Sequence, residues 1–355
     1  MGEAYLSIHF EPLTPIFFGP RQELSPSEYV KSAIFPSSYA LGGASLRVIS
    51  EICQLTFQDI EELVEREDIQ VRGPYLVAQF EGNFRYFVPA PFDKVHGIIL
   101  EFGEAGEKKP KLMYERSDGL PLPRITRFGR RGAKPEGLLL AEIEFKDAEL
   151  GWNVNPDSIA VLKEVASERT SFEMNRDKKV VQHGTLYLRS MIESYTLDSN
   201  RYGIASKIAF GCDVRLPGDL FRKIDVRGFG DVKLRFGGEG GVAKATVKKG
   251  DVPLVKAFQL KHEPKAEKTL LAVSHIALSK ADGKIYALGL GEVEWVLGKI
   301  ELIGGWLIRE KRFKKHVPAL IPGSLLKIKN EKTLHNVGEW YLKLLSTAIP
   351  HYRGY

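Results

Sequence analysis

Residues 304–329 read GGWLIREKRFKKHVPALIPGSLLKIK. Trp306, Leu307 and Ile308 are strand formers. Arg309, Lys311, Arg312, Lys314 and Lys315 then place five cations within seven positions, broken only by Glu310 and Phe313. Pro318, Pro322 and Gly323 predict turns, and Ser324 opens another apolar strand through Leu325, Leu326 and Ile328. Strand, cationic turn and strand in so short a span predict antiparallel sheet. The turn suits phosphodiesters, because Lys and Arg neutralise phosphate while Phe313 or His316 can stack on a base. A solvated charged loop is the other reading of the same run.

The same grammar extends outward. GEWYLKLLSTAI (338–349) predicts a closing helix. TLLAVSHIALS (269–279) and IYALGLGEVEWVLG (285–298) predict a strand each, and the charged segment 250–268 a connection. Further back lie a strand at Val232–Phe236, the loop Gly237-Gly238-Glu239-Gly240-Gly241, and a strand VAKATV. Arg201–Phe210 reads as a strand. Residues 170–194 read as a long hairpin with a charged tip at Asn175–Lys179. Asn155 as cap and Pro156 at a first helical position predict a helix to Ser167. Leu138–Phe145 is a strand, and residues 73–89 form a hairpin around Glu81-Gly82-Asn83. Helices are expected at 57–68 and over the stretch from Leu41 to Leu55. The proline-rich segment 12–36 is an ordered loop with Arg21 near its tip, and Tyr5–Phe10 alternates as a strand. Two passes of strand and helix predict an α+β fold of two domains, 1–165 and 166–355, each an antiparallel sheet with helices on one face.

Length and composition bound the function. The 355 residues, 43% of them hydrophobic, supply sizeable cores. A net charge of +6, from 51 basic against 45 acidic residues, favours polyanionic partners. Cys53 and Cys212 lie far apart in apolar settings and read as buried thiols. No metal or cofactor is expected, since no zinc-ligand spacing occurs. With neither a signal-peptide pattern nor a long apolar run, the cytoplasm is expected.

Beyond the opening stretch, three places suit an anion. Gly42 and Gly43, ahead of Arg47, sit where a helix N-terminus would approach a phosphate, or else permit tight packing. Arg124, Arg127, Arg130 and Arg131 interleave with Phe128 and glycines, and either bind phosphate or pair with Glu136, Glu142 and Glu144. Gly237, Gly238 and Gly240 admit an approaching backbone, turn where side chains cannot fit, or simply form a mobile hairpin tip. No Lys-Ser or Lys-Thr follows at Walker spacing. Among the histidines, His9 and His275 alternate in strands as surface residues, and His183 and His316 stand without a paired acid or base. A nuclease therefore lacks an evident constellation.

PLTPIFFGPR, FPSSYALGGASLR, LRFGGEGG and GGWLIREKRFKKHVPALIPGS, in this order, resemble the third subunit of the type III-B CRISPR Cmr effector complex, within the RAMP superfamily. Leu320, Ile321 and Pro322 interrupt the family's VPAGS, and Gly240-Gly241 lengthen its glycine loop, so a sister type III subunit fits as well. The resemblance implies two ferredoxin-like (RRM-like) domains in tandem, with a protruding β-hairpin and a glycine-rich loop. It implies no catalysis, and binding of the guide RNA's 5′ handle through the basic and glycine positions above, His316 and Ser324. It also implies docking on the large cyclase-bearing subunit and the repeated backbone subunit in antiviral defence, with 171–194 as a thumb. The alternatives are a RAMP endoribonuclease processing repeat RNA and a structural adaptor of a sister complex.

Overall fold

The computed structural model describes residues 4–19, 29–96, 98–100, 112–115, 121–123, 125–128, 137–144, 159–175, 180–224, 232–238, 240–250, 252–259, 269–304, 306–307, 312–314, 316–330, 340–345 and 347–350. The chain opens with β1 (Ala4–Pro12), β2 (Tyr29–Lys31), α1 (Ser38–Cys53), α2 (Phe57–Glu65), β3 (Gln70–Phe80), β4 (Asn83–Pro89) and α3 (Phe92–His96). Short strands β5 (Ile98–Leu100), β6 (Leu112–Glu115), β7 (Pro121–Pro123) and β8 (Ile125–Phe128) follow, then β9 (Leu138–Glu142), β10 (Ile159–Asn175), β11 (Val180–Ser199), β12 (Gly203–Ile204) and β13 (Lys207–Leu216). Next come α4 (Gly218–Lys223), β14 (Val232–Arg235), β15 (Val242–Lys249) and α5 (Pro253–Gln259). The remainder is β16 (Thr269–Ala272), β17 (Ile276–Ala281), β18 (Lys284–Ala287), β19 (Gly291–Leu297), β20 (Ile300–Ile303), β21 (Trp306–Leu307), β22 (Arg312–Phe313), β23 (Val317–Leu320), β24 (Leu325–Asn330), a 3₁₀ turn (Trp340–Leu344) and β25 (Ala348–Pro350).

The first sheet runs β12-β11-β10-β9-β4-β3-β13-β1-β15-β14, with β2 alongside β11. The second runs β20-β23-β17-β18-β19-β24-β16-β25. The pairing is antiparallel apart from β2 with β11, so the fold is α+β built mostly of antiparallel sheet. Strand periodicity sorts the first sheet's side chains into two faces. Leu6, Ile8 and Phe10 of β1 and Phe210, Cys212 and Val214 of β13 face α1 and α2 in one core. Tyr75, Val77, Val88 and Ala141 face the other way, against Leu271, Trp295, Leu297 and Leu325 of the second sheet. The result is three layers: helices, first sheet, second sheet.

Helix α1 starts where Ser37 Oγ accepts the Ala40 N–H at 3.2 Å and stops at Gln54 in the left-handed region. Its apolar stripe, Leu41, Ala44, Val48, Ile49 and Ile52, has the i, i+3, i+4 spacing that keeps one helical face on the sheet. Helix α2 begins with a reciprocal capping box between Thr56 and Asp59.

Several expectations change. Residues 159–167 are strand, not helix, because β9 pairs one edge of β10 and β11 the other, so tertiary pairing overrides a helix-compatible pattern. The expected domain boundary at 165/166 falls inside that continuous strand, and the chain changes sheet between Lys249 and Thr269, a segment that contains helix α5. TLLAVSHIALS and IYALGLGEVEWVLG each bend into two strands. The closing helix is only a 3₁₀ turn, after which Ala348–Pro350 joins β16 as an edge strand. Pro318 lies within β23, opposite Leu302 and beyond the part of β23 that pairs β17, where its missing N–H breaks no ladder bond to β17. Pro322 and Gly323 do form the turn. The two arms of the long hairpin stand as read, paired with each other from Ala160–Ser199 out to Asn175–Val180.

A candidate nucleic-acid interface

The segment after β1 threads between three elements. Ile16 pairs with Ile192 of β11, and Phe17 pairs with Gly238 of the glycine loop. The Phe18 N–H donates to Ser32 Oγ at 2.9 Å. This seats Phe17 and Phe18 beside the margin of α1, where Ala40, Gly43, Ala44 and Arg47 succeed one another at i, i+3, i+4 and i+7. Together with Ser37, Phe35, Arg235, Gly237 and Gly238 they enclose an open cleft of about 270 Å³. Its floor is apolar and small-sided, and its rim carries two guanidiniums. Glu51 accepts the Nε–H of Arg47 at 2.6 Å, while Arg235 is exposed at the end of β14. The guanidinium of Arg189 lies 5.2 Å from the ring centroid of Phe17 on the far side.

The glycine loop is shaped by packing. Gly237 has φ +76°, and a Cβ there would lie 2.7 Å from the Phe17 carbonyl oxygen. Gly241 is similarly crowded by the Phe236 oxygen, whereas Gly240, at φ +77°, opens onto empty space. The Gly238 N–H donates to the Phe17 oxygen at 2.7 Å and the Phe236 N–H to the Gly241 oxygen at 2.8 Å, which closes the turn. Gly237→Ala is therefore expected to lower stability by about 1–3 kcal/mol in denaturant unfolding, and Gly240→Ala by only about 1. Equal effects of the two substitutions would refute the crowding argument.

The cationic stretch reaches the same end of α1. β21 and β22 pair as a small hairpin, Trp306 with Phe313 and Leu307 with Arg312. Beyond it, Lys314 sets its ammonium 3.7 Å from the ring centroid of Tyr39, in the first turn of α1. Burial there pulls the Lys314 pKa down to about 8. Lys314, just after β22, thus contacts α1 at Tyr39, the residue before cleft-lining Ala40.

The sequence profile of the CRISPR-associated family Cas_Cmr3 matches residues 8–348. The chain belongs to the Cas_Cmr3 family. Among solved structures it is similar to a chain of the type III-B Cmr-beta complex bound to cognate target RNA, at 15% identity and TM-score 0.46, covering 96% of this chain and 94% of that one. It is also similar to a chain of the Csm3-Csm4 subcomplex of the type III-A CRISPR-Cas interference complex, at 13% identity and TM-score 0.41, covering 98% and 97%. A comparison with curated protein sequences finds no match.

In this Cas_Cmr3 chain the cleft gathers four of the residues that the sequence singles out: Gly43, Arg47, Gly237 and Gly238. Phe17, Phe18, Ala40 and Arg235 join them; all four lie in the stretches that carry the family resemblance, but none was singled out as a site residue. Gly42 and Gly43 lie within α1 rather than at its start. Gly42 is buried, since its missing side chain admits Leu344, which is the packing alternative. Ser324 is fully buried where β24 begins and offers no surface to RNA. His316 is exposed, with its ring against Gly304, where a Cβ would force the ring to move. Arg21, Arg124, Arg130, Arg131, Arg309, Lys311 and Lys315 lie outside the described residues, and Arg127 and Arg312 are placed by backbone only, in β8 and β22.

His9 and His275 are buried, not on a strand surface. The His9 ring lies edge-on to Tyr75 with centroids 6.2 Å apart. Neither can reach a ribose hydroxyl. Both cysteines are buried thiols, and the Cys212 sulfur lies 2.9 Å from Ser45 Oγ. Among the described residues no group of metal-ligating side chains gathers, and no helix is long and apolar enough to cross a membrane.

Proposed function

We propose that this Cas_Cmr3 chain is a non-catalytic RNA-binding subunit of a type III-B CRISPR ribonucleoprotein in the cytoplasm. In this reading it consists of two elaborated ferredoxin-like domains and holds the 5′ handle of the guide RNA. It docks on the large cyclase-bearing subunit and the repeated backbone subunit, with the β10–β11 hairpin as the thumb. One observation carries the RNA reading: the small-sided face of α1, the glycine loop, Arg47 and Arg235 converge on a single cleft. Two guanidiniums offer phosphate contacts at its rim, while Phe17 and Phe18 are buried and shape its floor. The sheet faces contribute little to such a site near the centre of the molecule, since one is covered by helices and the other by the second sheet.

Gly43 gives a direct test. A Cβ at this position meets nothing within 4 Å, so Gly43→Trp leaves the core untouched and fills the cleft. The expected result is a folded protein, its helix stabilised by up to about 0.5 kcal/mol, whose affinity for a handle-sequence RNA falls tenfold or more. A folded Gly43→Trp protein that binds that RNA as the parent does would exclude the cleft. Retained RNA affinity with loss of a protein neighbour in pull-downs would instead favour a structural adaptor.

A further inference from the structure

Among the described residues, the face of the first sheet turned toward the second sheet is covered only in part. Strands β3, β4, β9 and β13 supply the buried contacts there, whereas β15 and the edge strand β14 lie beyond them. On β14 and β15, Val232, Leu234, Ala243, Ala245 and Val247 pack toward the helices. Strand alternation therefore turns Lys233, Lys244, Thr246 and Lys248 to the opposite face. Lys233 stands directly across from Lys244 in the strand register. Cross-strand partners have closely spaced Cβ atoms, and like charges so placed repel. Glu11 stands opposite Lys244 on β1. Lys248 holds its ammonium 4.3 Å from the ring centroid of Phe84, which is half exposed at the β3–β4 turn.

We propose that this open corner of the sheet is a second contact for single-stranded RNA, receiving the segment that leaves the cleft. The inference rests on the cleft reading for its continuity. β14 ends in Arg235 on the cleft rim, so a strand passing over this sheet edge moves from Arg235 to Lys233, Lys244 and Lys248. A phosphate between Lys233 and Lys244 meets two ammonium groups, and Phe84 offers a ring beside the lysines for a base to stack on. An acidic protein surface would use the charge but not the ring.

The test compares the parent chain with Lys233→Gln/Lys244→Gln/Lys248→Gln, binding a single-stranded RNA of about 8 nucleotides and one about twice as long. The cleft rim is left intact. With each phosphate on a single strand contributing about 0.7 to the salt slope, the variant should lose roughly two units of slope and at least about tenfold in affinity for the long RNA, with the short RNA unaffected. Unchanged binding of the long RNA, or equal loss for both lengths, overturns the proposal. If the short RNA fails to bind the parent while the long RNA still loses affinity in the variant, the cleft reading falls and the lysine surface stands. Polyglutamate is the control for an acidic partner: binding by the parent as strong as that of the long RNA, lost equally in the variant, would overturn the assignment to RNA.

Discussion

Asp213→Ala is expected to lower the stability of the full chain by about 3–5 kcal/mol at pH 5, because it strands three buried donors at once. Asp213 is fully buried on β13. Its Oδ1 accepts the Tyr75 hydroxyl proton at 2.8 Å, and its Oδ2 accepts the N–H groups of Leu254 at 2.8 Å and Val255 at 3.0 Å. Those amides belong to the first turn of α5, on the passage from the first sheet to the second. Burial pushes the Asp213 pKa up to about 7, against the pull of the three hydrogen bonds and of Arg72. The same burial and the neighbouring Asp213 raise Tyr75 further above its ordinary range. Since the folded value lies above the ordinary carboxyl value of 3.8, the contribution of Asp213 is whole below that value. It is lost as pH rises through about 7. The penalty of Asp213→Ala should therefore shrink by about 2–3 kcal/mol between pH 5 and pH 8. Asp213→Asn, which can accept from both amides and donate to the Tyr75 oxygen, should be nearly independent of pH. Urea unfolding at the two pH values decides the matter. An alanine penalty that is equal at both, or below about 1 kcal/mol at pH 5, would remove Asp213 from this role.

Reversing both cleft guanidiniums, Arg47→Glu with Arg235→Glu, is expected to weaken handle RNA binding by about a hundredfold near 0.15 M salt. Two phosphate contacts are lost and two repulsions replace them, and the salt slope should flatten by at least about 1.4 units. Arg47 and Arg235 are both exposed, so the fold should change by less than about 0.5 kcal/mol per site. Arg47→Glu also sets a like charge against Glu51, one helical turn on, and this predicts a slightly larger stability loss for that substitution than for Arg235→Glu. Binding curves at several salt concentrations, beside thermal unfolding of the same preparations, separate the two effects. An unchanged slope in a folded double variant would show that neither guanidinium meets phosphate.

Local chemistry alone determined much of this protein. The Glu81-Gly82 turn between two alternating runs, the amphipathic helix beginning at Phe57, the paired arms on either side of the Asn175–Lys179 tip and the strands flanking the glycine loop were legible because each depends on residues a few positions apart. The basic glycine-bearing stretches marked this as a chain suited to polyanions, and their order carried the family resemblance. Distance along the chain hid the rest. Whether residues 159–167 coil or extend depended on β9 and β11 being there to pair with them, and the terminal strand Ala348–Pro350 exists because β16 offers an edge. Gly42 and Gly43 are neighbours in sequence, but a helix turns by about 100° per residue, so one meets Leu344 in the core and the other faces the cleft. Ser324, read as the start of an apolar strand and given an RNA contact only by the resemblance, is sealed inside because β24 begins beside it between β16 and β19. The cleft itself joins residues 17–18, 35–47 and 235–238. Only the pairing of Phe17 with Gly238 and the packing of α1 on the first sheet bring those segments together.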